Sequence, residues 1–184
     1  MKILVLANKL PFPPRDGGSI ATMNMLLGLR QAGNQVTCLA MNTSKHPFPV
    51  EQIPQELHQK IRFLAVDVDT SIKPSRLLIN LLFSREPYIA ERFRSRAYSL
   101  ELQALLAQES FDIVQIEGPY LFFCLGQVRK ESKASISLRA HNAEHQIWER
   151  MAQQEHSAVK RWYLKNLSRR LREFERRVFN RVDT

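Results

Sequence analysis

Three short segments of this 184-residue sequence hold side chains whose types and spacing suit work on a polar, anionic small molecule. The first is Asp16-Gly17-Gly18-Ser19, which closes a proline-rich stretch just before a helix-forming run. Paired glycines let a backbone come close to a phosphate, and a helix start offers unpaired N–H groups and the positive end of the helix dipole. Gly17, Gly18 and Ser19 are therefore candidate phosphate ligands; the plainer alternative is a flexible loop in which Ser19 only caps the helix. The second is Arg139-Ala140-His141-Asn142, at the end of a strand-forming run. A histidine there suits a hydrogen bond to a sugar hydroxyl or phosphate, or a proton transfer; alternatively it only shapes a turn. The third is Glu117, followed by Gly118 and Pro119, which either accepts hydrogen bonds from a polyol or caps the next helix.

Other chemistries are disfavoured. Residues 141–145 spell H-x-x-E-H, an inverted zinc-peptidase pattern, but that pattern needs both histidines on one helix and a distant third ligand. His141 instead ends a strand, so no metal is expected. The dinucleotide fingerprint G-x-G-x-x-G is absent, which argues against a nicotinamide or flavin enzyme. Neither a Walker A loop nor a Ser-His-Asp set is present. Cys38 and Cys124 each sit in an apolar segment and read as reduced core residues.

The elements that position these segments alternate. Strands are expected at 2–7, 35–41, 61–68, 112–116 and 134–140, the first of them short, apolar and rich in branched residues as a buried parallel strand should be. Helices are expected at 19–31, 54–59, 74–84, 89–108, 120–129, 143–153 and 157–182, with a break at Glu86-Pro87. Such alternation implies right-handed crossovers and an α/β fold: a Rossmann-like, doubly wound, mostly parallel sheet with helices on both faces. No repeat or internal linker appears, so residues 1–184 read as one domain. All three chemical segments then fall on the carboxyl rim of the sheet, where open α/β sheets bind their ligands.

The composition is ordinary for a globular chain, 44% hydrophobic and 24% charged, but the formal net charge is +9. Residues 160–181 alone hold nine basic side chains against Glu173 and Glu175. An apolar stripe at Val159, Tyr163, Leu167, Leu171, Phe174, Val178 and Val182 predicts a helix packed on the domain with its arginines outward. That face suits an anionic partner such as acidic lipid or nucleic acid, or is simply solvated. The five-residue apolar run at 3–7 is shorter than a signal-peptide core, and no stretch is long enough to span a membrane. A cytoplasmic protein is expected, able to rest on the inner face of a membrane.

Taken together, the segments resemble the N-terminal half of a GT-B glycosyltransferase of the retaining family-4 type. The resemblance runs over nearly the whole chain and is carried by six stretches: KILVLA; LPFPPRDGGS with the helix IATMNMLLGL; REPYIAERFRS; FDIVQIEGPY; RAHNAEHQIWERMA; and RRLREFERRVFNRVD. The pairing of P-x-P-P-x-D-G-G with a later HN-x-E is its most specific mark. The resemblance implies two Rossmann-like domains facing across a cleft, and transfer of a sugar from a nucleotide-sugar donor to a glycan or lipid-linked acceptor, with no metal or other cofactor. It sets Gly17, Gly18 and Ser19 against the donor diphosphate and His141 against the donor sugar. Asp16, Glu117, Arg139 and Asn142 are then the acceptor or sugar contacts.

The implied donor-binding domain, with its E-x7-E motif, is not in this chain, so the chain alone is expected to be inactive and its own C-terminal domain is an implied partner. E-x7-E spacings at Glu101/Glu109 and Glu109/Glu117 lie in the wrong domain and read as coincidence. On this resemblance no nucleic acid is expected. The competing reading is a stand-alone Rossmann-like binding module that docks nucleic acid or an acidic partner through the basic helix.

Overall fold

The computed structural model describes residues 1–184 throughout. Five strands, β1 (Lys2–Ala7), β2 (Gln35–Thr43), β3 (Arg62–Val68), β4 (Ile113–Glu117) and β5 (Ser135–Arg139), form one sheet. All pairings are parallel, and the spatial order is β3-β2-β1-β4-β5. Around it lie α1 (Gly17–Gln31), α2 (Gln55–His58), α3 (Pro74–Phe83), α4 (Tyr88–Glu91), α5 (Arg96–Gln108), α6 (Leu125–Glu131), α7 (Glu144–Gln154) and α8 (Ala158–Phe179). This is the expected Rossmann-like, doubly wound α/β fold.

Its two faces follow from the period-2 geometry of a strand. Along β1, Leu4 and Leu6 enter a core cluster of 25 residues shared with α5, α6 and α8. Ile3, Val5 and Ala7 enter a second cluster of 12, with Met23 and Leu26 of α1. β1 has no solvent face, which is why its sequence is continuously apolar. Within the larger core the Tyr98 hydroxyl donates to the Leu39 carbonyl at 2.7 Å, so the buried phenol has its partner.

Several boundaries differ from expectation. The N-cap of α1 is Asp16, not Ser19, so Gly17 and Gly18 are the first helical residues rather than loop. The run 89–108 is broken between α4 and α5, because Ser95 adopts extended backbone and caps the Tyr98 amide. The helix expected at 120–129 opens as a 3₁₀ turn, Pro119–Cys124, before α6. Tighter winding there turns Tyr120, Leu121 and Cys124 to the core within one short stretch.

The basic helix departs furthest from its pattern. Leu167, Leu171, Phe174 and Val178 are buried as expected, but Val159 at the start of the stripe is exposed. Arg170, expected outward, is buried, and its guanidinium donates to the carbonyls of Asn80 (3.2 Å), Ser84 (2.5 Å) and Glu86 (2.7 Å). It closes the C-terminal end of α3: the Asn80 carbonyl also accepts from the Ser84 amide, and Ser84 and Glu86 lie just past the helix. Of the two intrahelical pairs the spacing allows, Arg169–Glu173 forms at 3.2 Å; Arg177 makes no ion pair with Glu173.

The last residues of the chain run beside β5. The Ile136 amide donates to the Asp183 carboxylate at 2.8 Å, and the Leu138 amide to the Thr184 carbonyl at 2.8 Å. Arg129 holds Asp183 in place from α6, at 2.6 Å.

Candidate functional site

β1 and β4 are neighbours, yet the chain leaves β1 toward β2 and leaves β4 toward β5, on opposite sides. A crevice therefore opens beyond their carboxyl ends, the usual ligand position in such sheets. Ala7, Glu117 and Arg139 stand at one register level across β1, β4 and β5, and mark its floor.

One wall is the start of α1. Asp16 forms a capping box with Ser19: the Ser19 amide donates to Asp16 Oδ1 (3.0 Å), and the Asp16 amide donates to Ser19 Oγ (3.2 Å). Ser19 is thus buried with its amide and hydroxyl both engaged, and offers nothing to a ligand. The N–H groups of Gly17 and Gly18 have no helical acceptor and point out of the helix start. Lys9 Nζ bonds both Asp16 carboxylate oxygens, at 2.6 and 2.7 Å. That ammonium, together with the Ser19 amide, holds the Asp16 carboxyl well below the usual carboxylate range. A side chain on Gly18 would lie 3.3 Å from Asp16 Oδ1 and 3.4 Å from Lys9 Nζ, whereas Gly17 faces open space.

The opposite wall is built on Glu117. This carboxylate is 2% exposed and is the hub of the rim. Arg139 reaches it through Nε (3.0 and 3.1 Å) and NH2 (2.5 Å). Thr22 of α1 donates to it at 3.1 Å, and His141 Nε2 lies 3.3 Å away. Arg139 also reaches back to the Ala21 carbonyl and the Thr22 hydroxyl, which ties the first turns of α1 to the end of β5. Glu117 neither caps the following turn nor projects into solvent. It fixes Arg139, which is itself partly exposed at the crevice. Gly118 follows with φ +82°, a conformation other residues adopt only under strain, and turns the chain past Asn8.

His141 and Asn142 are exposed and lie just beyond β5, where the chain bends before α7. They line a cavity of about 660 Å³ with Arg172 and Arg176 of α8. The H-x-x-E-H residues go three ways: His141 to Glu117, Glu144 to the Tyr120 hydroxyl at 2.9 Å, and His145 to the buried Glu175. Burial and the Glu144 charge push the Tyr120 phenol well above its ordinary range. A second rim cavity, of about 690 Å³, opens past the ends of β2 and β3, with Tyr88, Trp148, Tyr163 and Leu167 in its walls and Arg92 and Lys45 on its border.

The structure thus gathers Asp16, Gly17, Gly18, Glu117, Arg139 and His141 around one crevice, with Asn142 at its margin. Sequence reasoning missed Lys9, Thr22 and Arg176, and gave Gly118 no role of its own. Thr22 sits one helical turn after Gly18 and so shares its face, and Gly118 is a glycine wedged between a strand and a proline; both signals were present in the sequence.

No protein-family model matches this chain, and no curated protein matches it at a significant level.

Proposed function

We propose that this chain is the acceptor-side half of a nucleotide-sugar-dependent glycosyltransferase of the two-domain GT-B design. The observation that carries the reading is the open start of α1, with Gly17 and Gly18 set at the β1/β4 switch point and tied through Thr22 and Arg139 to the His141 side. Glycosyl transfer breaks the bond from the anomeric carbon to the diphosphate, and negative charge builds on the departing group. Backbone N–H donors and the helix dipole stabilise that charge with no reorganisation. Lys9 adds a cation within reach, shared between Asp16 and the incoming phosphate.

In this reading His141 faces the donor sugar, with the Glu117 carboxylate behind it steadying the ring. Arg139 and Asn142 supply hydrogen-bond partners at the margin. The aromatic walls of the Tyr88–Trp148–Tyr163 cavity suit an acceptor with flat or apolar surfaces, glycan or lipid-linked. The nucleotide's far side needs a second domain to complete the site. The chain by itself therefore turns over no donor.

The test has two arms. Titrating the isotope-labelled chain with uridine diphosphate is expected to move the amide signals of Gly17, Gly18, Gly118 and His141, with an affinity of roughly millimolar for half a site. In the full-length protein, His141→Ala should lower sugar transfer by about tenfold or more and barely move the thermal midpoint. Perturbations elsewhere, undiminished transfer, or donor turnover by the chain alone would overturn the reading.

A further inference from the structure

α3 is amphipathic the wrong way round. Its polar residue Asn80 is 2% exposed and faces the protein, donating to the Glu86 carbonyl at 3.0 Å and to Glu91 at 2.5 Å. Arg170 pins the same side through three carbonyls. The outward side consequently carries Leu78, Ile79, Leu82 and Phe83, with Leu82 64% and Phe83 83% exposed. Ile72, just before the helix, is exposed as well. A surface helix normally turns such residues inward.

The start of α8 extends this apolar surface. Tyr163 and Leu167 share a cavity with Ile72 and Leu77, so the first turns of α8 lie beside α3. Val159, one turn before Tyr163, and Trp162, next to it in sequence, are both more than half exposed. Of the flanking carboxylates, Asp69 pairs with Lys73 and Glu86 with Arg94, and Glu155 lies near Lys160, which leaves an excess of cations. Arg76 and Arg85 on the α3 side, and Lys160, Arg161 and Lys165 on the α8 side, are exposed, and none has a carboxylate within ion-pair distance.

We infer that the α3 ridge, with Trp162 and Val159, is a docking face for an anionic lipid bilayer. An apolar centre with aromatic residues, bordered by a net excess of unpaired cations, matches a helix that lies in a membrane interface. A second copy of the chain fits poorly, because antiparallel packing of α3 about a two-fold axis would set Arg76 of one copy beside Arg85 of the other. Docking sets the neighbouring rim cavity, between α3 and α8, against the lipid headgroups. The face is defined by exposure and charge and uses none of the residues assigned to the donor, although it borders the cavity assigned to the acceptor. It is also distinct from the far half of α8, where most of the remaining arginines lie.

Co-sedimentation with vesicles of phosphatidylcholine alone, and of phosphatidylcholine mixed with phosphatidylglycerol, tests it directly. The chain should bind the anionic vesicles at least tenfold more tightly, lose that binding in high salt, and show a blue shift of tryptophan emission that Trp162→Phe removes and Trp148→Phe keeps. Leu82→Glu combined with Phe83→Glu should abolish binding, and Arg76→Glu with Arg85→Glu should weaken it at least tenfold. Arg177→Glu, on the far half of α8, should leave it intact. Circular dichroism checks that each variant stays folded, as expected for exposed positions. Equal, negligible binding to both vesicles overturns the inference. So does binding that survives the Leu82/Phe83 change, or a dimer in sedimentation velocity that this change dissociates.

Discussion

Glu117 and Arg139 stand side by side at the same register level of adjacent parallel strands, and their side chains meet at 2.5 Å in a contact that is buried on the Glu117 side. Removing the charge from Glu117 leaves the guanidinium, the Thr22 hydroxyl and His141 without their common acceptor. Breaking a buried pair costs about 3–5 kcal/mol; Arg139 keeps access to water, so Glu117→Gln should cost about 2 kcal/mol. Urea unfolding should show the midpoint falling with an unchanged slope. A loss under about 0.5 kcal/mol would mean the rim is held elsewhere.

Gly17 and Gly18 should part company on substitution. Gly17→Ala enters open space at the first turn of α1 and should leave stability unchanged or slightly raised, since alanine is the better helix former. Uridine diphosphate binding should nonetheless weaken, because the methyl stands where the phosphate approaches. Gly18→Ala crowds Asp16 and Lys9 and should disturb the cap itself. Thermal midpoints and ligand-induced amide shifts, measured on both variants, separate the two effects. Normal binding by Gly17→Ala would remove the phosphate from that position.

The Asp16 cap predicts a specific pH dependence. Its folded-state carboxyl lies below the unfolded value, so it binds protons less readily in the native chain. Its contribution is therefore fully present above the unfolded carboxylate range, near pH 4, and is lost as the pH falls below it. Asp16→Asn keeps a capping oxygen and removes the charge. The stability gap between the two proteins should be widest near neutrality and should close on acidification. A gap that widened toward pH 3 would contradict the Lys9–Asp16 assignment.

Thiol labelling offers a clean check on the core. Burial pushes the Cys124 thiol up to about 12 and the Cys38 thiol higher still. Both side chains are fully buried. At pH 8 neither should react with an aromatic disulfide reagent in the native protein, and both should react in urea. Fast native labelling of either would show that its strand or turn opens readily.

The sheet was legible because β1 and β2 are buried on both faces and write that burial as uninterrupted apolar runs. Strand order was implied only in part, through the alternation of elements. What escaped the sequence was what depends on partners distant along the chain. Asp16 was passed over as a cap because Gly17 and Gly18 read as loop, although Asp16 and Ser19 stand at capping-box spacing. Glu117 looked like a ligand contact, and only the pairing of β4 with β5 reveals it as a buried hub. Arg170 lies among residues that seemed solvated, and its inward turn meets carbonyls at and just past the end of α3, up to 90 residues earlier in the chain. For the same reason the leucines of α3 show helical spacing without revealing that they face outward. The arginines of α8 draw attention to that helix as a lipid contact, whereas the exposed apolar ridge of α3 carries no such charge signal.

The short pairing of Asp183 and Thr184 with β5 has a consequence for how the chain behaves in crowded solution. An outermost strand presents alternate amides and carbonyls as a ready template for any extended segment, including one from another molecule. Here the amides of Ile136 and Leu138 are already taken, one by a carboxylate and one by a main-chain carbonyl. Two residues thus act as a guard rail on a strand that alternates Ser135, Ile136, Ser137 and Leu138. A version trimmed to Asn180 would bare that template while keeping nearly all of both cores, and its first symptom should be concentration-dependent clumping rather than unfolding.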